Sequence, residues 1–120
     1  MIEIDDRALG ALLAEDPGGP VVMLNLLRFK PDGGQERYAE YGAAVTPLVE
    51  KAGARVVFLG ESALPLLGDG RWDSVLLVEY PTRQAFLDMI ASAEYQAIGH
   101  LRTEALEHGE LHPMSAADLP

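Results

Sequence analysis

The stretch VVMLNLLRF, from Val21 to Phe29, decides the fold. It is too short for a typical helix and too apolar for a strand with one wet face, so it reads as a central strand covered on both sides. Asp16-Pro17-Gly18-Gly19-Pro20 precedes it and Lys30-Pro31-Asp32-Gly33-Gly34 follows it, two runs that break regular structure. Alternation sends Val21, Met23 and Leu27 to one face and Val22, Leu24 and Leu26 to the other. Asn25 interrupts this run with an uncharged polar side chain.

Downstream, Tyr38, Tyr41, Val45, Leu48, Val49 and Ala52 recur at spacings of three and four, which predicts a helix over 35–52 with Gly53 as its stop. Pro47 lies inside that pattern and predicts a kink or an irregular turn. Two β-rich runs come next, RVVFL from Arg55 and WDSVLLVEY from Trp72 to Tyr80, joined by a glycine-rich connection as in a hairpin. Thr82 caps a further helix whose buried side carries Ala85, Phe86, Met89 and Ile90. From Ser92 to about Glu107 the pattern continues it or forms a second helix, with Gly109 as its end. Glu110 to Met114 is then a short last strand, and Ser115 to Pro120 a loose tail. Upstream, Asp5 or Asp6 caps a helix through about Glu15, with Leu9, Leu12 and Leu13 on one face.

After the first helix the order is strand, helix, strand, strand, helix, strand. That is the βαββαβ order of a ferredoxin-like α+β domain with a four-stranded antiparallel sheet. Residues 1–120 form one domain, in which 1–19 supply an extra N-terminal helix and loop and 115–120 the tail. Helices cover only one face of such a sheet, yet Val75 and Leu77 oppose Leu76 and Val78 just as the two sides of the first strand oppose each other. A second copy stacked on the open face, closing a dimeric barrel, is the expected cover. The N-terminal helix or the tail is the alternative.

Composition narrows the function. With 19 acidic and 9 basic residues the formal charge is −10, which repels nucleic acid and anionic lipid surfaces, so neither is an expected partner. No apolar run approaches the roughly 20 residues of a membrane span, and the first residues lack a signal-peptide pattern, so the chain reads as cytoplasmic. The absence of cysteine removes disulfides, thiolate nucleophiles and cysteine-ligated metals. There is no Walker loop, no GxGxxG after a strand and no GxSxG elbow, which sets aside nucleotide hydrolysis, Rossmann redox chemistry and serine-hydrolase chemistry.

Four segments together, VVMLNLLRF, RYAEYGAAVTPLVEKAGARVVFLGE, WDSVLLVEYPT and SAEYQAIGHLRTEAL, resemble the family catalogued as domain of unknown function 1330, a branch of the dimeric α/β-barrel superfamily. The likeness spans about residues 20–114. It implies a ferredoxin-like fold dimerised through its sheets, with a pocket between sheet and helices in each subunit, and it implies no reaction. Other branches of that superfamily hold cofactor-free monooxygenases, lactone isomerases and dye-decolourising haem enzymes, so likeness of fold alone leaves the chemistry open. The haem branch fits badly: its chains are much longer and no histidine here has a haem-ligand context.

The residues leave their own alternatives. Asn25 is a structural bridge or a ligand-orienting group, since a buried amide must be paired. Tyr38 and Tyr41 face the sheet one helical turn apart, as core packing or as phenols lining a pocket. Arg102 is an anion anchor or the partner of an acid. Arg28 is expected to form a salt bridge at the sheet's rim. Glu79 and Asp73 share a face with Val75 and Leu77 and, with His100 in the late helix, are the candidate proton carriers. Their bland reading is solvated surface. His108 and His112 beside Glu107 and Glu110 lack a recognised metal-ligand spacing, so neither a metal nor another cofactor is expected. The resulting expectation is a homodimer binding a small phenolic, lactone or carboxylated molecule, as a cofactor-independent acid–base enzyme or as a non-catalytic, stress-associated binding module. In either, Asn25, Tyr38, Tyr41 and Arg102 bind the ligand.

Overall fold

The computed structural model describes residues 4–119. They form four helices and four strands in the order α1 (Asp6–Ala14), β1 (Val21–Phe29), α2 (Gly34–Lys51), β2 (Arg55–Glu61), β3 (Ser74–Tyr80), α3 (Arg83–Ala91), α4 (Ala93–Ala105) and β4 (Leu106–Met114). The sheet order is β2-β3-β1-β4, with every neighbouring pair antiparallel, which makes the domain a ferredoxin-like α+β fold preceded by one helix. Among the described residues no helix is long and apolar enough to cross a membrane. Of the expected loose tail, 115–119 carry no regular structure, while Pro120, like Met1 to Glu3 of the expected N-terminal segment, lies outside the described residues.

Local chemistry sets the boundaries. Asp5 caps α1, its carboxylate accepting from the amides of Arg7 at 2.8 Å and Ala8 at 3.1 Å. At the other end of α1, Arg83 donates to the carbonyl of Leu12 at 2.7 Å and so ties α1 to the start of α3. α2 runs unbroken through Pro47, contrary to the expected irregular turn. The proline removes one donor, but Ala43, whose carbonyl loses it, lies on the solvent side of the helix, where water can replace the bond. The helix closes in a Schellman motif: Gly53 at φ +77° donates to Glu50, and Ala54 donates to Val49. Thr82 and Ser92 cap α3 and α4, so the two late helices are separate.

One expected boundary is wrong. Gly109 does not end a helix; α4 stops at Ala105 and the chain turns at once into β4, with Gly109 inside that strand opposite Leu27. Leu106 is already extended and pairs with Phe29, so ladder bonds to β1 replace the last helical turn. The junction is tight. The carbonyl of Ala105 accepts from Lys30 at 2.9 Å, and a Cβ placed on Gly34 would lie 2.6 Å from that same oxygen.

Helices cover one face of the sheet. Val21, Met23 and Leu27 are buried beneath them, joined in the core by Leu12, Val78, Tyr80, Phe86 and Met89. Val22, Leu24 and Leu26 point the other way and remain partly exposed, as do Val75 and Leu77. Edge strand β2 carries a bulge between Val56 and Phe58, and Phe58 keeps 54% of its surface in water.

Candidate functional site

Between the sheet and α2, α3 and α4 lies a cavity of about 500 Å³. Its floor is Met23, Asn25, Leu76 and Val78, and its far wall is Phe86, Met89 and Ile90. Strand parity explains the floor, since Asn25 pairs with Leu76 and Met23 with Val78, all on the helix face. Helical spacing explains the near wall, where Tyr38, Tyr41, Val45 and Val49 follow one stripe of α2.

Four expected ligand-binding residues, Asn25, Tyr38, Tyr41 and Arg102, all line this cavity. Asn25 is buried, and its Nδ2 donates to the carbonyls of Met23 and Leu76, each at 3.3 Å. Those two bonds orient the amide so that Oδ1 faces Arg102, whose Nη2 donates to it at 3.5 Å. Asn25 is thus a structural bridge that also holds a charged group at the cavity wall. The hydroxyls of Tyr41 and Tyr95 are 2.8 Å apart, one donating to the other, with the rings edge to face. Tyr38 packs between Phe29 and Tyr41, at ring separations of 5.5 and 5.4 Å.

Burial pushes the Tyr38 phenol up to about 12, against the pull of the neighbouring Arg102 guanidinium. Tyr41, Tyr80 and Tyr95 are also raised, chiefly by burial. These phenols are neutral donors at physiological pH. Tyr80 and Tyr95 line the cavity as well, and sequence reasoning missed both as site residues. The signal was present: Tyr80 shares parity with Leu76 and Val78, and Tyr95 leads the buried stripe of α4.

The three expected proton carriers lie elsewhere. Glu79 is on the open face of the sheet, where its carboxylate accepts from Arg55 Nε at 3.1 Å. Asp73 clamps the end of β1: it accepts from the amide of Phe29 at 2.8 Å, and its own amide donates to Leu27 at 2.8 Å. His100 is exposed on α4. None of the three lines the cavity. Among the described residues Arg28 forms no rim salt bridge; its Nε donates to the carbonyl of Arg71 at 2.8 Å and its guanidinium lies 5.6 Å from the Trp72 ring centre. On β4, Glu110 sits between His112 at 2.7 Å and His108 at 3.5 Å, and these contacts hold its carboxyl below the ordinary carboxylate value. Among the described residues no group of three or more His, Asp or Glu side chains is placed to hold a metal ion.

Fold and cavity together define a ferredoxin-like domain with an apolar, tyrosine-walled chamber on its helix face. The profile of the family described as Domain of unknown function (DUF1330) matches residues 33–111, and the chain belongs to that family. A solved structure of a protein of unknown function from Rhodopseudomonas palustris is 34% identical, with 98% of each chain covered and a TM-score of 0.88. A Mycobacterium tuberculosis protein is 24% identical over 83% of this chain and 97% of its own, with a TM-score of 0.63. A dimeric ferredoxin-like protein of unknown function from Jannaschia sp. CCS1 shares the fold at 14% identity and a TM-score of 0.67, with 82% of this chain and all of that one covered. No curated protein matches the chain.

Proposed function

We propose that the protein is a homodimer whose subunits each bind a small, largely apolar molecule in the chamber between sheet and helices. The observation that carries this reading is the cavity itself. A void of about 500 Å³ falls within the roughly 300–1,000 Å³ range of ligand pockets, and its mainly apolar lining with a few convergent polar groups is the usual composition of one. Close packing would otherwise fill such a space, because voids larger than a water molecule are few in a domain. Pairing is supported by the open face, where Val22, Leu24, Leu26, Val75 and Leu77 leave an apolar surface without helices over it, and by solved relatives of the same fold described as dimeric.

The reading assigns binding rather than proton transfer. Glu79, Asp73 and His100 lie outside the chamber, and the phenols inside it are neutral near pH 7. Titration with the neutral fluorophore N-phenyl-1-naphthylamine tests the assignment. Saturation at one molecule per chain is expected, abolished by Val49→Trp, which fills the chamber from α2. Unchanged binding in that variant would place the probe elsewhere and overturn the reading.

A further inference from the structure

Arg102 is at odds with an otherwise apolar chamber. Among the described residues three charged ones line the cavity, and two of them belong to its rim: Glu50 is exposed, and Arg55 is largely exposed and paired with Glu79. Arg102 is the charge at the inner wall, partly buried, among Asn25, Tyr38 and Leu111. A guanidinium carries five N–H donors in a planar fork suited to two carboxylate oxygens. Its acceptors here are Asn25 Oδ1 at 3.5 Å, the far limit of a hydrogen bond, and the phenol oxygen of Tyr38 beside it, neither of them charged. Among the described residues no carboxylate lies within ion-pair distance of Arg102, although the chain carries 19 of them. On its other side Arg102 borders a second cavity with Asp5, Glu107 and Glu110; Glu110 is engaged by His108 and His112, and none of the three pairs with it.

A partly desolvated cation with no carboxylate partner among the described residues is costly, and the cost is recovered when an anion arrives. We infer that the ligand is a monoanion, a carboxylate on an apolar body, with its two oxygens forked on Arg102 and its chain lying along Met23, Phe86 and Met89. Asn25 positions the guanidinium, because its own donors are committed to Met23 and Leu76. Tyr38, a neutral phenol beside Arg102, supplies a further donor to the anion. The net charge of −10 discourages polyanions at long range, which limits the ligand to a single charge that this local cation can hold.

This inference rests on the chamber being the ligand site, and a matched pair of probes separates the two claims. 4-Phenylbutyrate and its neutral amide, 4-phenylbutanamide, have the same body and differ in charge; amide-proton NMR titration reads both affinities even when weak. The carboxylate is expected to bind about tenfold to a hundredfold more tightly, the range of a charge-assisted forked pair. Arg102→Gln removes that preference, bringing the carboxylate's affinity down to that of the amide, and Arg102→Lys, which keeps the charge without the fork, retains part of it. Tyr38→Phe, a milder change should Arg102→Gln unfold, lowers the carboxylate's affinity more than the amide's. Equal binding of the two probes to the wild-type protein, or a preference that survives Arg102→Gln, overturns the anion clamp and leaves the chamber standing. Failure of both probes to shift chamber resonances overturns the chamber, and the clamp with it.

Discussion

Replacing Tyr41 with Phe removes one oxygen from a place where the consequence can be worked out. The Tyr41 and Tyr95 hydroxyls are 2.8 Å apart, and both residues are buried, at 8% and 3% exposure. Phe keeps the ring, its edge-to-face contact and nearly all the buried area, so the loss is confined to the hydrogen bond and to the hydroxyl left behind. A buried polar group stranded in this way costs about 1–3 kcal/mol, more than the bond contributes when made. Tyr95→Phe strands the other partner and should cost a similar amount. The double variant strands neither, so it should be less destabilised than the two single changes added together, with a coupling of about 1 kcal/mol or more. Urea unfolding followed by circular dichroism measures this directly, provided the slope with denaturant is constant across the four proteins. In thermal terms each single variant should melt roughly 3–6 °C lower per kcal/mol lost. If the two single changes simply add, the hydroxyls are not coupled and the near wall of the chamber is not built as described.

Other outcomes follow from the same structure. Gly34→Ala should destabilise by about 1–3 kcal/mol, because its Cβ would meet the Ala105 carbonyl, which is backbone and already bonded to Lys30; chemical unfolding measures the loss. The raised phenols of Tyr38, Tyr41, Tyr80 and Tyr95 mean that the unfolded chain releases protons first as pH rises past 10. Their contribution should therefore be fully present below pH 10 and lost as pH rises through about 12 for Tyr38, seen as phenolate absorbance that appears together with unfolding. Arg37, donating to Glu104 at 2.9 Å, holds that carboxyl below its ordinary value. Stability from this pair is present above the unfolded carboxylate value and lost as pH falls through the folded one. Arg37→Ala should return Glu104 towards 4.5 in a carbon-detected NMR titration.

The elements were legible where one strong pattern acted alone. The run from Val21 to Phe29 is a strand over those same residues because two breaker segments enclose it. Asn25, Tyr38 and Tyr41 converge because strand parity and helical spacing are local rules that carry into space. Glu79 lies away from them for a different reason. Its parity with Val75 and Leu77 is correct, but a sheet apolar on both faces does not reveal from sequence which face the helices take. They take the face of Leu76 and Val78, which leaves Glu79 outside with Arg55. Gly109 misled because glycine ends helices more often than it sits in strands, and the β1 ladder that reaches back to Leu106 is a long-range effect with no local signature. Arg28 was assigned an acid because acids are abundant, whereas the loop brings Trp72 and the Arg71 carbonyl to it first.

The proposed function uses the sheet on both faces, with helices enclosing a ligand chamber on one side and a second copy of the chain covering the other. Sedimentation equilibrium tests that most directly. A single species of twice the 13.0 kDa chain mass is expected, converted to the chain mass by Leu24→Asp, which sets a charge in the middle of the open face without touching the chamber. A wild-type protein sedimenting at 13.0 kDa at all concentrations would contradict it.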